Sequence, residues 1–351
     1  MNRNAECAVA GPCMRARGAL AVRAALAAVL AAITLGVCPA ATAQTQRDRL
    51  ELGIVSRTFF YMPVWAARDQ GYFGAEGLDV NVSIFGNASQ VEPLLSGKMQ
   101  VAIATPESVL QNAAAGGPLR IVAGNTGKLS HALIVNPRFS KIEDLRGATF
   151  GILNKTEGSF FQIQEMMARH GLHFPADYKV KEMGGVPPRH KALLEGSIDA
   201  GLQSIPWNYV AEDAGFKSLA DVSDYVPDWQ FVSVNVNNDW AKANRAVLVR
   251  FLRALSQATD WIYAHRAEAA AIAQRELPTR KDYAERAWDY YTKTGALTPD
   301  LSINRKGLQK VIDIQIEAGL LPKNAARTAD PYIAEDYLRE ARSGWKTATP
   351  N

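Results

Sequence analysis

The residues best suited to hold a ligand fall in two matching places. Arg57 follows "GIVS" (53–56), Lys155 follows "GILN" (151–154), and each precedes a helical stretch. A cation beside a helix N-terminus suits a small anion, because free backbone N–H groups and the helix dipole both favour negative charge there. A solvated rim charge is the alternative for each. Thr156, Gly158 and Ser159 enter the second helix and offer hydroxyl and amide donors to an oxyanion. Ordinary N-capping by Thr156 or Ser159 is the alternative, and both roles can hold at once. Phe59, Phe60 and Tyr61 share the first loop. Aromatic residues there either pack into the core or wall an apolar cleft, and at least one is expected to line the pocket. Thr105, Pro106 and Glu107 end one strand, Ser204, Pro206 and Trp207 end another, and Asn125 ends a third. Glu107 cuts against a simple anion site. Capping the helix 107–116 is its expected role; facing the ligand, it would favour an amine or a heterocyclic N–H. Gly185, after Gly184, either lets a ligand approach the backbone closely or only turns the chain.

Other chemistries find little support. "GNTGKL" (124–129) lacks the glycine spacing and the final hydroxyl of a phosphate-binding loop. His131, His170, His173 and His190 cluster in the second half, but His170 and His173 straddle Gly171 and share no helix face. With no carboxylate cluster beside them, no metal site is expected, and no cofactor. The three cysteines, Cys7, Cys13 and Cys38, all lie near the start.

Elements that would position the candidates can be read from periodicity. "LELGIVS" (50–56) reads as a buried strand, "RTFFY" (57–61) as a loop, and Pro63 as the first position of a helix ending at Gly71. Leu78, Val80, Val82 and Ile84 alternate with polar residues, predicting a strand. Strand, helix, strand implies a parallel sheet, and ligands sit beyond the carboxyl ends of such strands. The same grammar returns about 98–99 residues later. "GIVSRT" (53–58) matches "GILNKT" (151–156), and "GNASQVEPLLSGKMQVAIAT" (86–105) matches "GVPPRHKALLEGSIDAGLQS" (185–204). Two copies of one α/β unit predict two similar lobes. "HALIVN" (131–136) and "FVSVNV" (231–236) read as strands crossing out and back. Lobe 1 is then 44–130 plus 237–351, and lobe 2 is 131–236. From Trp240 the spacing turns helical, and these helices are expected to cover lobe 1. Two crossings make a hinge.

The chain has 351 residues, of which 48% are hydrophobic, enough for two ordinary lobes. Residues 1–43 read as a signal peptide: Arg15, Arg17 and Arg23, an apolar run at 24–37, and a cleavage site at Ala41-Thr42-Ala43. Met14 gives a more usual start. Bulky Val37 argues against a lipoprotein anchor at Cys38. Removing this segment takes four arginines, one glutamate and every cysteine, leaving 35 basic and 34 acidic residues. A net charge of +1 with no basic block argues against nucleic acid. The mature protein is expected to be soluble and exported.

"AARDQGYFGAEGLDV" (66–80), "LLSGKMQVAIATPESVLQNAAAGGPLRIVAG" (94–124), "IEDLRGATFGI" (142–152) and "LLEGSIDAGLQSIP" (193–206) together resemble the periplasmic substrate-binding proteins of ABC importers. The similarity is to the nitrate/sulfonate/taurine-type and thiamine-pyrimidine-precursor-type superfamily. It covers residues 50–343 and is carried by scaffold rather than pocket motifs. The resemblance implies an α/β, type II-like two-lobed fold: each lobe a mostly parallel sheet flanked by helices, with two interlobe crossover strands. It implies a monomer in the periplasm that closes on a small organic anion and delivers it to a membrane permease with a cytoplasmic ATPase. A thiamine-precursor-like pyrimidine is the alternative ligand. Relatives of this fold that make the pyrimidine precursor use a cysteine-rich motif and a sacrificial histidine. The lack of cysteine after Cys38 argues against an enzyme.

Overall fold

The computed structural model describes residues 47–86 and 88–343, within one compact unit, Arg47–Asn351. The expected signal segment, its cleavage after Ala43, the start at Met14 and all three cysteines lie outside the described residues. Among the described residues no helix is long and apolar enough to cross a membrane.

Ten strands are described: β1 Asp48–Ile54, β2 Leu78–Ile84, β3 Val101–Ala104, β4 Leu119–Thr126, β5 His131–Val135, β6 Thr149–Ile152, β7 Lys179–Glu182, β8 Ala200–Ser204, β9 Lys217–Asp221 and β10 Val232–Asn237. They form two five-stranded sheets, ordered β2-β1-β3-β10-β4 and β7-β6-β8-β5-β9. The central strand β3 is apolar and buried at every position, as a strand covered on both faces must be. β2 is an edge strand, with Leu78 buried and Asp79 and Asn81 exposed, so it keeps the alternation. It runs parallel to β1 in the register Asp48↔Leu78 through Ile54↔Ile84.

The repeat seen in the sequence is a repeat of topology. Replacing β1, β2, β3 and β4 by β6, β7, β8 and β9 turns one sheet order into the other. In each sheet the remaining place is filled by a strand that has crossed over: β10 lies antiparallel to β3 and β4, and β5 antiparallel to β8 and β9. The molecule is therefore two-lobed, one sheet per lobe. The crossings themselves are 127–130 and 226–231. The boundary expected at 236/237 put β10 with lobe 2; its hydrogen bonds put it in the first sheet, so the return precedes the strand. Length explains the difference, since a strand long enough to span the lobes is also apolar enough to be drawn into a sheet.

Helices Arg245–Ala264 and Asp336–Arg342 pack together over Met62–Asp69 on the first lobe, as the change of periodicity after Trp240 predicts. Phe73 stacks on Phe251 there, ring centres 5.7 Å apart. The predicted helix 246–277 is two, broken at His265, where φ −127 and ψ 70 leave the helical region. Gly71 and Gly171 hold the left-handed conformation (φ 76 and 68) that ends their helices.

Candidate functional site

The carboxyl ends of β1, β3 and β6 and the segment after β7 meet between the lobes and enclose a small chamber. The first lobe contributes Val55, Ser56, Tyr61 and Thr105, and the second His131, Ser159, Gln162, Gly185 and Arg189. Its volume is ≈ 40 Å³. Arg189 dominates its electrostatics. It lies in the first turns of the helix Val186–Leu194, where Pro187 and Pro188 give up no needed donor. Only 3% of Arg189 is exposed. Its one hydrogen bond is a long one, Nη1 donating to the Gly184 carbonyl at 3.4 Å, and Nε has no partner. Among the described residues no carboxylate pairs with it. Burial pushes the guanidinium down to about 10, so it remains a cation at neutral pH. A buried charge without a counter-charge is costly, and an anion in the chamber would relieve it.

Its neighbours are neutral. Burial, and then the charge of Arg189, push His131 down to about 3, so its imidazole is uncharged at neutral pH and Nδ1 has no partner. Gln162 Nε2 is likewise buried without an acceptor. The Tyr61 hydroxyl accepts a hydrogen bond from Val55 N at 3.1 Å, and burial raises its pKa. Ser159 Oγ accepts from Leu153 N at 2.9 Å, fixing the entry to the helix Gly158–Ala168. Gly185 brings the lobes together: a Cβ there would lie 2.9 Å from both Cβ and Oγ of Ser56.

A second chamber of ≈ 170 Å³ adjoins through Val55, Thr105 and Leu153, and is polar, lined by Gln90, Ser108, Thr156 and Glu157 among others. Here two carboxyls meet across the lobes. Thr105 Oγ1 donates to Glu157, and Glu107, fully buried, lies against Glu157 with no donor to either of its oxygens. Burial raises the Glu107 pKa. Burial, with the neighbouring Glu107 charge, raises that of Glu157 well above the usual carboxylate range. The pair is stable in contact only with a proton on it. The largest concavity, ≈ 570 Å³, lies elsewhere, between the helices Gly158–Ala168 and Arg305–Glu317, away from the strand ends.

The expected site residues divide into three sets. Tyr61, Phe60, Thr105, Ser159 and Gly185 line the central chamber, and Thr156 the polar one. The others serve neighbouring structure. Arg57 is half exposed and its Nη1 is paired with Glu276 Oε2 at 2.6 Å, an acceptor it shares with Arg68. Lys155 is exposed and lines neither chamber. The expected loop 57–61 closes into a short 3₁₀ turn, Phe59–Tyr61, with all three rings buried. Phe59 stacks on Tyr291 at 4.7 Å. Asn125 is buried beneath that turn, Nδ2 donating to the Phe60 carbonyl at 2.7 Å. Ser204 is buried opposite His131 in the β5–β8 register, its hydroxyl without a partner. Pro106 and Pro206 precede the helices Glu107–Ala114 and Trp207–Asp213. Glu107 makes no side-chain cap, so it is neither the expected cap nor a chamber-lining ligand contact. Gly158 is buried where a Cβ would sit 2.9 Å from Glu107 Oε1. Trp207 lines an outer groove with Arg57.

Arg189, Glu157, Ser56 and Gln162 were not among the sequence candidates. Arg189 did carry a signal. Val186, Arg189 and Leu193 fall on one helix face, and the repeat pairs Arg189 with the uncharged Gln90. A lone arginine on an apolar face, where the other copy has no charge, singles out the position, and only the structure shows whether it is paired. Gln90 fulfils the structural role alone: Nε2 donates to the Thr105 carbonyl and to Ser108 Oγ, both at 2.9 Å. Among the described residues no group of three or more His, Asp or Glu could hold a metal.

Known proteins share this architecture. The family model described as NMT1/THI5 like matches residues 59–269. YtlA of Bacillus subtilis (strain 168), which carries the name of a binding protein, is 23% identical over 291 residues, covering 79% of this chain and 85% of its own. The 4-amino-5-hydroxymethyl-2-methylpyrimidine phosphate synthase of Candida albicans (strain WO-1) is 23% identical over 306 residues, 80% of this chain and 84% of its own. The solved structure of the alkanesulfonate-binding protein SsuA from Xanthomonas axonopodis pv. citri, bound to MOPS, superposes with a TM-score of 0.66 at 17% identity, covering 82% of this chain and 99% of the other. At that identity the likeness shows the fold, which is that of the periplasmic binding proteins.

Proposed function

This chain belongs to the NMT1/THI5-like family, and from that premise we propose that it is the solute-binding component of an ABC importer, capturing a small organic anion between its lobes without chemical change. The single observation behind this is Arg189, a buried guanidinium at the meeting of the two lobes with no carboxylate beside it. Ser56 and Thr105 from one lobe and Gln162 and Ser159 from the other surround the same space. An anion held there touches both lobes, and only a ligand that favours the closed arrangement can shift the molecule toward it. The fold's relatives and the basic, apolar, A-x-A pattern of residues 1–43 support export to the periplasm and delivery to a permease.

A pyrimidine is the second reading. It draws on the Glu157 carboxyl in the polar chamber, which offers an acceptor to a heterocyclic N–H group, and on the synthase relative. One screen separates the two. The purified protein is heated with organic carboxylates, sulfonates, inorganic anions and pyrimidines, each at about 100 times a micromolar dissociation constant. A true ligand adds about 2.7 kcal/mol of stability. Stabilisation by organic anions is expected; stabilisation by pyrimidines alone would transfer the site to the carboxyl pair. Recovery of the bound compound unchanged separates binding from turnover.

A further inference from the structure

The chamber around Arg189 has room for a head group and no more. At ≈ 40 Å³ it is far below the several hundred Å³ that a small-molecule site usually offers. The rest of an organic anion has to lie in a space that joins it. Two do. The polar chamber brings the Glu157 carboxyl toward an incoming anion and lines its walls with amide and hydroxyl groups. On the other side, Val55, Ser56 and Gly185 also line a groove of ≈ 470 Å³. That groove is walled by Ile84 from the first lobe, Met183, Pro187, Pro188 and Trp207 from the second, and Pro278 from the C-terminal helices. Its one charged side chain, Arg57, is already paired with Glu276. Ile84 is 51% exposed, one of few large apolar side chains left so open. The Trp207 indole N–H is buried without an acceptor.

We propose that this groove seats the apolar body of the ligand, so that the cargo is an amphiphilic organic acid: a carboxylate or sulfonate head on Arg189, and a hydrocarbon chain or ring against Ile84, Met183, Pro187 and Trp207. This rests on the anion reading of Arg189. Both lobes contribute apolar walls, so the body as well as the head rewards closure. The buried indole N–H offers one hydrogen bond to a polar substituent on the body.

The test is calorimetry at pH 7 with acetate, butyrate, hexanoate and octanoate, and with the sulfonates of equal chain length, on the wild-type protein and on Ile84→Glu, Trp207→Ala and Arg189→Met. Affinity is expected to rise about 4-fold for each methylene that enters the groove. Ile84→Glu, at a half-exposed site, is expected to flatten that rise. Trp207→Ala is expected to do the same for the longest acids, and Arg189→Met to abolish binding at every length. A flat series that still depends on Arg189 would overturn the groove and leave the anion site standing. A rise untouched by both Ile84→Glu and Trp207→Ala would overturn it equally, placing the body elsewhere. No binding by any acid of any length would remove both the groove and the anion site.

Discussion

A single guanidinium sets the character of the cleft. Arg189 is buried without a carboxylate, which carries a desolvation cost that the proposed anion would offset. Arg189→Met keeps much of the apolar stem of the side chain and removes the charge. Hydrogen bonds to charged groups are worth about 1.5–3 kcal/mol each, so the loss of two should weaken anion binding by a factor on the order of 100 or more. The unliganded variant is expected to melt no lower than the wild type, and higher if the desolvation penalty dominates. A lower melting point with unchanged affinity would make Arg189 a structural residue. By contrast Arg57, with Glu276 and Arg68 around it, is half exposed and satisfied.

At the scale of elements, the approach of β1's trailing loop to the helix Val186–Leu194 decides whether the cleft can close. Gly185 has φ −65 and ψ −177, open to any residue, so what requires glycine is space. Gly185→Ala places a methyl group 2.9 Å from Ser56 and should leave each lobe folded while holding the lobes apart. Overpacking of this kind costs about 1–3 kcal/mol, or roughly 5- to 150-fold in affinity. Ser56→Gly in the same chain is expected to restore much of the loss. Circular dichroism checks the fold and calorimetry the affinity; failure of the second substitution to rescue would place the close contact outside the closing motion. The repeat also has its meaning at this scale. Each copy supplies one half of a sheet, and the crossing strands β5 and β10 supply the missing member of the other lobe.

Over the whole molecule, the carboxyl pair predicts that closure is linked to protons. Glu107 from lobe 1 and Glu157 from lobe 2 meet with Thr105 as the hydroxyl donor and no cation paired to either. Open, each carboxyl meets water and titrates near its ordinary value of 4.5. Closed, both are raised, so the closed form binds more protons. Its stability is therefore full below the ordinary value and is lost as pH rises through the raised one. Between the ordinary carboxylate value and the raised one, anion affinity is expected to fall with rising pH, approaching tenfold per unit where one proton is taken up. His131, pushed down to about 3, and Arg189, at about 10, do not titrate in that window and face the neighbouring chamber. Glu157→Gln removes the charge and keeps the shape. It is expected to bind with little pH dependence and more tightly than wild type at pH 8. A wild-type profile that is flat, or one that Glu157→Gln leaves unaltered, would unlink the pair from closure.

Taken by itself, the sequence determined the α/β class, the two lobes, their repeat, the helical cover of the first lobe and the strand ends that meet between the lobes. These follow from local periodicity, from glycines that must end helices, and from the self-similarity of 53–105 and 151–204. Thr105, Ser159 and Gly185 were legible for the same reason, since topology alone brings the residues after β3 and β6 and before the helix Val186–Leu194 to the cleft. Tertiary structure alone decided which charges are free. Arg57 and Arg189 look alike in sequence, and the difference is made by Glu276, which comes from 219 residues away to pair with Arg57 and leaves Arg189 alone. The carboxyl pair is of the same kind: Glu107 and Glu157 are 50 positions apart and meet only because the lobes do. The aromatic turn 59–61 went to the core because Tyr291 and Asn125 waited there to pack and bond it. Charge compensation and packing are properties of neighbours in space, and neighbours in space are what a one-dimensional pattern does not contain.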